Sequence, residues 1–397
     1  MSNLLQYAPA SEPTLACGMP VGDLIVRVRE TLAGIERYLR GTATFDRPDR
    51  LWPADHRVFT TNPLSLAYGA CGTAVFLHER GALRDEFGDR VRKWLLAHPL
   101  DVERIPPGLH VGLAGIALAL ERLGLAERAE QAMRLACDSP LLEAEADLLY
   151  GAAGWGRVSL FFHQRTGDPH FLEMARRAGE HLRATAQRDE EGRLFWRSGL
   201  DGRIHIGYGQ GASGIALFLL ELGMRIGDAA TVAFAREALD GDLAREAEDP
   251  NGPAWPDWVG STTMMPYLHH GAAGIASVAL RFHRRLGDPR YLAAARAAAD
   301  SVDMKWSLQP SLMYGMSGLG ELMLDMHQAT GEARYLATAY ELAETILWYR
   351  LERNEGFAFP GELLTRITTD YATGSAGIGM YLHRLLTGGR HWLVLDL

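Results

Sequence analysis

The stretch Gly211-Ala-Ser-Gly-Ile-Ala-Leu-Phe-Leu-Leu-Glu-Leu222 joins a Gly-x-x-Gly motif to a segment with a single polar residue. The same motif, followed each time by an apolar segment, occurs seven times in the 397-residue chain. The other six copies lie at residues 69–72, 112–115, 151–154, 271–274, 315–318 and 374–377. Because a helix that is apolar on all sides is buried on most of its surface, each segment predicts a core helix. Such a repeat is typical of stacked helical units.

A second, amphipathic segment follows each apolar one. The connecting turn is clearest at Thr166-Gly-Asp-Pro169 and Leu286-Gly-Asp-Pro289, and alanine-rich helices are expected over 291–301 and 335–347. The last motif is as apolar as the others, and no polar capping repeat follows it. We therefore predict an all-α fold, a closed α/α toroid with seven inner and seven outer helices. A two-domain helical protein divided near residue 190 is disfavoured, because the repeat runs across that point.

The chain divides into two parts on this basis. Residues 1–44 form an N-terminal segment whose helix, expected over 23–39, completes the outer ring. Residues 45–397 form the toroid domain. Short strands near 194–196 and 357–359 are expected to make hairpins at one end of the ring.

Composition excludes several function classes. The net charge of −9 argues against nonspecific binding to nucleic acid or to an anionic membrane surface. Three widely spaced cysteines fit neither a disulfide framework nor a cysteine-rich zinc site, so a reducing, cytoplasmic location is expected. The sequence contains no uninterrupted apolar run of about 18 residues and no secretory signal pattern at its N-terminus, so neither membrane insertion nor secretion is expected.

Seven such motifs in about 400 residues resemble the lanthionine synthetase C-like family. Four phrases are similar to the cyclase domains of class III lanthipeptide synthetases: Phe59-Thr-Thr-Asn-Pro63, Asp147-Leu-Leu-Tyr-Gly-Ala-Ala-Gly-Trp-Gly156, Gly356-Phe-Ala-Phe-Pro-Gly361 and Asp370-Tyr-Ala-Thr-Gly-Ser-Ala-Gly377. The resemblance covers roughly residues 45 to 390. It implies an α/α toroid that adds cysteine thiols to dehydroalanine or dehydrobutyrine in a precursor peptide, forming thioether rings of the lanthionine or labionin type.

The resemblance also implies a metal site that this sequence has altered. The best-known members of the family bind zinc through two cysteines and one histidine, and the matching positions here are His269, Met313 and Tyr314. Methionine is a poor ligand for Zn²⁺ and tyrosine an unusual one. We therefore expect no zinc and no other cofactor, a departure that class III cyclase domains share.

Two further family positions diverge and one is retained. The histidine before the fourth glycine is Gln210, and the arginine six residues before the fifth is Met265. The aspartate of the third repeat is kept as Asp147.

Without a metal, a base must take the thiol proton or a positive field must stabilise the thiolate. His269 and His270, directly before Gly271, are the candidate base, and unperturbed imidazole predicts a rate that rises near pH 6.5. Tyr314 is the candidate acid for the enolate. Asp147 could orient a histidine, although capping of the third inner helix is the more ordinary role. Core or capping roles stay open for His269, His270 and Tyr314.

Other side chains before the glycines are candidates for binding the substrate: Tyr68, Tyr208, Gln210, Asp370 and Tyr371. Helix N-termini that point inward would favour a thiolate or enolate. The long loops carry aromatic residues that either contact the peptide or seal the loop cores: Trp196, Trp255, Trp258, Phe357 and Phe359.

Three functions remain. The first is a zinc-independent cyclase that acts on a dehydrated precursor peptide. The second is a non-catalytic, peptide-binding scaffold in a biosynthetic complex. Both imply a separate kinase and lyase, because the chain lacks kinase motifs. The third, a sugar-active toroid, needs two carboxylates that face the cavity, and only Asp147 and Asp370 are placed to serve.

Overall fold

The fold is described from a computed structural model, which defines residues 14–389 and Asp396. Each inner helix begins directly after the first glycine of one motif. These seven helices are α3 (Ala70–Glu79), α5 (Leu113–Arg122), α7 (Ala152–Thr166), α9 (Ala212–Ile226), α11 (Ala272–Leu286), α13 (Met316–Thr330) and α15 (Ser375–Thr387). Successive inner helices pack side by side, and α15 packs against α3, so the ring is closed.

Seven outer helices surround this ring: α1 (Val21–Thr42), α4 (Glu86–Ala97), α6 (Ala126–Cys137), α8 (Pro169–Thr185), α10 (Ala229–Leu243), α12 (Pro289–Ser301) and α14 (Ala333–Leu347). A short helix α2 (Arg57–Thr60) lies before the first motif. The predicted α/α toroid is confirmed. Helix α1 packs against α14 and α15. None of the helices within residues 14–389 has the length and apolar character needed to cross a bilayer.

Three small antiparallel sheets lie in the longest loops. The first pairs β1 (Gln187–Arg188) with β2 (Leu194–Phe195), and the third orders β6 (Leu351–Arg353), β7 (Gly356–Pro360) and β8 (Ile367–Thr368). Both were expected. The second sheet was not: it orders β3 (Ala247–Asp249), β4 (Gly252–Pro256) and β5 (Met264–Met265). Its central strand contains two prolines, which are uncommon within strands, so the sequence did not predict a strand there.

The Gly-Asp-Pro turn between inner and outer helices has a simple physical basis. Gly167 ends α7 with a φ of 74°, a left-handed conformation that glycine adopts without strain. The side chain of Asp168 then accepts a hydrogen bond from the amide of His170 at 2.9 Å, and Pro169 opens α8. Gly287, Asp288 and Pro289 repeat the arrangement between α11 and α12.

The second glycine of each motif permits a close backbone approach. A Cβ atom added at Gly115 would lie 1.6 Å from the carbonyl oxygen of Leu109, six residues earlier, and one at Gly214 would lie 2.0 Å from that of Tyr208. The other five motifs show the same contact, at 2.0 to 2.2 Å. Each loop therefore folds tightly onto the start of its own helix, which brings the residue before the motif to the centre of the ring.

Candidate active site

Backbone hydrogen bonds join the seven loops before the motifs into a closed circle. In each loop the donor is the backbone amide of the residue two positions before the first glycine of the motif, or of the residue next to it. The acceptor is a backbone carbonyl of the next loop. The links are Ala67 to His110 (2.7 Å), His110 to Leu149 (3.2 Å), Leu148 to Gly209 (3.3 Å), Gly209 to His269 (2.8 Å), His269 to Met313 (3.0 Å), Met313 to Ala372 (3.0 Å) and Ala372 to Ala67 (2.9 Å). This circle fixes the backbone on which the candidate residues stand.

Several amides at the N-termini of the inner helices are already bonded within the protein. The amide of Leu113 donates to the carbonyl of Pro106 at 2.8 Å, and that of Ala152 donates to the carbonyl of Glu145 at 2.8 Å. The first amide makes the same bond in α3 and α13 and the second amide does so in α11 and α15, whereas in α9 the amide of Ser213 donates to the carboxylate of Asp242. These amides are not available to an anionic substrate, so stabilisation of an anion at the helix N-termini would rest on the remaining amides and on the helix dipoles.

The residue directly before each motif decides which part of the ring is accessible. In four consecutive repeats this side chain is partly exposed: Tyr150, Gln210, His270 and Tyr314. In the remaining repeats it is buried: Tyr68, Val111 and Thr373. The accessible arc thus carries a phenol, an amide, an imidazole and a second phenol. We refer to these four side chains as the central arc.

His269 lies beneath the central arc and is only 3% exposed. Its ring packs edge-to-face on His270, with centroids 4.0 Å apart, and lies 4.9 Å from the ring of Tyr314. Burial, with repulsion from His270, His110, His205 and Arg57, holds the pKa of His269 well below its usual value. Burial likewise lowers the pKa of His270 to about 3. Both imidazoles are therefore neutral at pH 7. The ionisation of neither histidine is expected to produce a rise in rate near pH 6.5, which corrects the expectation from the sequence.

Asp201 and His205 are neighbours of this pair that sequence reasoning missed. The Nε2 atom of His205 lies 3.3 and 3.2 Å from the two carboxylate oxygens of Asp201. The His205 ring is nearly parallel to that of His270, at 6° and 5.4 Å between centroids. His205 falls six residues before the fourth motif, in a long loop whose path the repeat does not define.

Arg57 is the third residue that the sequence did not reveal. It lies on α2, and its guanidinium carbon is 5.2 Å from the ring centre of Tyr68 and 5.8 Å from that of Tyr314. The two phenol oxygens are 3.2 Å apart. Burial alone would lower the pKa of Arg57, but its hydrogen bond to Glu362 and the neighbouring phenols raise it. Arg57 is thus a permanent cation beside the central arc.

The two phenols of this group remain protonated at neutral pH. Burial raises the pKa of Tyr314 to about 12 and that of Tyr68 well above its usual value. Tyr314 can therefore donate a hydrogen bond or a proton but does not act as a base.

Asp147 and Asp370 occupy the same position in two repeats, four residues before the glycine. Each accepts a hydrogen bond from the amide three residues later, at 2.7 Å from Tyr150 and 2.8 Å from Thr373. Asp147 thus shapes the loop before α7, and the predicted cap of the helix itself is wrong because Gly151 is the N-cap. Burial raises the pKa of Asp147 to about 7 and that of Asp370 to about 6.

Tyr208 and Tyr371 are buried below the loop circle, which suits support of other side chains better than contact with a peptide. The hydroxyl of Tyr208 bonds with His110 Nε2 at 3.2 Å. Two loop tryptophans also seal cores: the indole nitrogens of Trp196 and Trp255 donate to the backbone at 2.9 Å. Phe359 is buried as well, whereas Trp258 and Phe357 are half-buried.

The residues at the expected metal position do not suit zinc. Met313 is 2% exposed and belongs to the apolar core. Tyr314 is a protonated phenol with a hydroxyl partner, and phenols are unusual zinc ligands. His269 alone is an ordinary zinc donor, and one ligand does not make a site that normally takes three or four.

The loops before the motifs are joined on one face of the ring, and they also expose large apolar side chains. Among these are Phe59, Leu200, Val259, Met264, Trp306, Leu308, Leu363 and Leu364. Leu363 and Leu364 also have φ values of 53° and 58°, a strained conformation for leucine. Beside the arc, Tyr150, Pro106, Pro107 and Leu141 help to line a cleft of about 250 Å³. This face combines a polar centre with an apolar rim, as expected of a surface that binds a peptide.

Comparison with known proteins agrees with this architecture. The probable SapB synthase of Streptomyces coelicolor is 33% identical over 356 residues, which is 88% of this chain and 37% of that protein. The chain therefore spans little more than a third of the length of the curated relative that it matches.

Two solved structures share the fold. Nisin cyclase has a TM-score of 0.65 at 13% identity, covering 95% of this chain and 97% of that one. The GH76A α-1,6-mannanase of Salegentibacter sp. HEL1_6 has a TM-score of 0.52 at 13% identity, covering 92% and 99%. At such identities the likeness extends to the fold alone. The sequence profile of the lanthionine synthetase C-like proteins, however, matches residues 60–397, and the chain belongs to that family.

Proposed function

We propose that this protein is a lanthipeptide cyclase of the class III type, which adds cysteine thiols to dehydroalanine or dehydrobutyrine without zinc. The observation that carries the proposal is the packing, in one buried site, of the His269 imidazole beside the Tyr314 phenol, with ring centres 4.9 Å apart. Burial keeps the imidazole neutral and the phenol protonated at pH 7. A thiol addition needs a group that takes a proton and a group that gives one. Side chains can fill both of these roles without a metal ion.

In the proposed reaction each of these groups has one role. His269 takes the thiol proton while the sulfur attacks Cβ of the dehydroamino acid, forming the C–S bond. The electron pair of the C=C bond moves to the adjoining amide, which becomes an enolate. Tyr314 or Asp147 then protonates Cα, and the permanent charge of Arg57 stabilises the anionic stages. Because the imidazole is a weak base here, proton transfer and attack on Cβ proceed together.

The substrate class follows from the face of the ring. A flexible peptide can place its reacting residues on the central arc and its apolar side chains on the surrounding rim. Tyr68, Gln210 and Asp370 are proposed to contact or position this peptide near the arc. Dehydration must precede the addition, so a kinase and a lyase are proposed to supply the peptide, in the cytoplasm.

A synthetic peptide with one cysteine and one dehydroalanine tests the proposal. Ring formation does not change the mass, so it is followed by the loss of a thiol that can be alkylated. The wild-type protein should exceed the uncatalysed rate, and the double variant His269→Ala, His270→Ala should lose roughly 10²–10⁴-fold. His78→Ala, at an exposed position, is the matched control. A double variant as fast as the wild type would remove the base assignment.

A non-catalytic scaffold is the second candidate, and the lost zinc donors at Met313 and Tyr314 favour it. The same experiment separates the two functions. A scaffold binds the peptide, as measured by fluorescence anisotropy with a labelled substrate, but leaves its cyclisation at the uncatalysed rate. The sugar-active alternative is weakened, because both carboxylate oxygens of Asp370, the second acid that it needs, are bonded to Thr373 and to the amide of Asp55.

A further inference from the structure

A buried base needs a route by which its proton leaves. In the proposed reaction His269 gains the thiol proton while a different group protonates Cα, so each cycle leaves one proton on the imidazole and one missing from the acid. Restoring both requires exchange with solvent. His269 is only 3% exposed, and its partly exposed neighbour His270 lies on the face that the peptide is proposed to cover, so a route that stays open during the reaction must lead elsewhere.

Two imidazoles and one carboxylate lie in a row between His269 and the surface. His269 contacts His270, His270 lies against His205, and His205 bonds to Asp201. The side chain of Asp201 is 38% exposed and reaches solvent. The row thus begins at the proposed base and ends at an accessible acid.

The rings of this row have spare hydrogen-bonding capacity. Among the described residues, His269 Nδ1, His270 Nε2 and His205 Nδ1 are buried and have no hydrogen-bond partner. A buried polar atom without a partner destabilises a fold, so three of them in one cluster call for a reason. Free nitrogens on adjacent rings let a proton pass by ring rotation or through a bridging water.

We infer that Asp201 and His205 are positioning residues that complete a proton path from His269 through His270 to solvent. The inference rests on the proposed function. Chemically, a proton moves from one imidazole nitrogen to the next and leaves to water at Asp201, while solvent returns one proton to the acid. No bond other than N–H and O–H changes.

The charges around the row explain why Asp201 is needed. His269 faces His270, His110, His205 and Arg57, all of which oppose a proton on its ring. His270 faces His205, which opposes a proton on its ring, and Asp201, which favours one. Arg203 lies 3.9 Å from the Asp201 carboxylate, on the solvent side. Removing the Asp201 charge should therefore make each protonated step less favourable.

The test compares Asp201→Asn with Glu190→Gln, which removes an exposed carboxylate from the same loop. Asp201→Asn should slow cyclisation roughly tenfold or more and alter the pH–rate profile, below the loss expected for the base itself. Asp201→Glu should recover most of the rate. Glu190→Gln should leave both readouts near wild type.

A second measurement needs no substrate. In NMR spectra of the free protein, Asp201→Asn should slow the exchange of the His269 and His270 ring N–H protons with solvent, because the accessible end of the path is altered. An unchanged exchange rate together with an unchanged pH–rate profile would overturn the path while leaving the cyclase proposal intact. A wild type no faster than the uncatalysed reaction would remove the proposed function, and the path with it.

Discussion

The amide of Ala372 donates a hydrogen bond of 2.9 Å to the carbonyl of Ala67, and this bond joins the last repeat to the first. A side-chain bond supports the same joint: the hydroxyl of Thr73 donates to the carbonyl of Thr369 at 3.0 Å. The length of this hydrogen bond lies within the range of 2.7 to 3.3 Å found at the other joints, so the backbone is bonded here as it is elsewhere in the ring. Closure also gives every inner helix two neighbours, which is how an apolar last repeat avoids solvent.

Two matched glycines test whether the closing joint is as tight as an internal one. A Cβ atom at Gly379 on α15 would lie 2.5 Å from the ring of Phe76, and one at Gly156 on α7 would lie 2.5 Å from Phe218. We expect Gly379→Ala and Gly156→Ala each to lower the free energy of unfolding by about 1–3 kcal/mol through overpacking. Urea denaturation measures both.

Gly241→Ala is the control, because its Cβ would meet its nearest neighbours at 3.3 Å. A small effect at Gly379 beside a large one at Gly156 would mean that the joint opens at little cost. Deleting residues from Gly374 onward should give an aggregating protein, since the apolar faces of α3 and α13 lose their cover. A soluble, cooperatively folded truncate would contradict the closed ring.

The fold was predictable from the sequence because its repeated motifs encode local contacts. Each Gly-x-x-Gly marks a close backbone contact and each Gly-Asp-Pro a pair of helix caps, and neither depends on distant residues. The sheet around β4 was missed for the opposite reason. Its strands depend on pairing between Trp255 and Met265 across a loop, and no local pattern signals that register.

The metal prediction can be tested in both directions. The wild-type protein should carry well below one zinc per chain after dialysis against a chelator, as measured by elemental analysis. The triple variant His269→Cys, Met313→Cys, Tyr314→His recreates the donor set that the family resemblance implies, and it should bind about one zinc per chain. Met313→Cys alone is the control and should not. Stoichiometric zinc on the wild type would overturn the zinc-independent mechanism.

Only the site residues that occupy fixed positions in the repeat could be predicted from the sequence. His269, His270, Tyr314 and Asp147 stand at fixed positions before a glycine, so the sequence places them near one another. Their ionisation could not be foreseen, because it depends on burial under other loops.

Arg57, Asp201 and His205 lie outside the repeat. They reach the centre through loop paths that only tertiary structure defines.

The paired phenols predict a stereochemical effect. Tyr314→Phe should slow the protonation of Cα by roughly 10²–10⁴-fold if this hydroxyl is the acid. Protonation by water would then give both configurations at Cα, where the wild type gives one. Chiral chromatography of the hydrolysed product measures the ratio.

Tyr68 tests whether the two hydroxyls act together. Tyr68→Phe should have a smaller effect, and the double variant should be no worse than Tyr314→Phe, because groups within one hydrogen bond are not additive. Tyr340→Phe, on the outer helix α14, is the control. A single product configuration from Tyr314→Phe would assign protonation elsewhere, with Asp147 next in line.

Asp147 predicts a specific dependence of stability on pH. Its pKa is about 7 in the folded protein, whereas an unfolded aspartate ionises near pH 4. The folded state therefore binds the extra proton between these values, so this contribution to stability is complete below about pH 4 and is lost as the pH rises through about 7. Asp147→Asn cannot ionise and should lack this loss.

The difference between the two proteins is the measurement. From pH 5 to pH 8, Asp147→Asn should gain up to about 3 kcal/mol of unfolding free energy relative to wild type, and any fixed cost of the substitution cancels. Asp370→Asn is the matched control: with a pKa of about 6 it should gain only about 1 kcal/mol. If Asp147 is the acid for Cα, the wild-type rate should also fall above pH 7, as the carboxyl loses its proton. Parallel stability curves for wild type and Asp147→Asn would show that Asp147 is ionised when folded, and an ionised carboxylate cannot protonate the enolate at neutral pH.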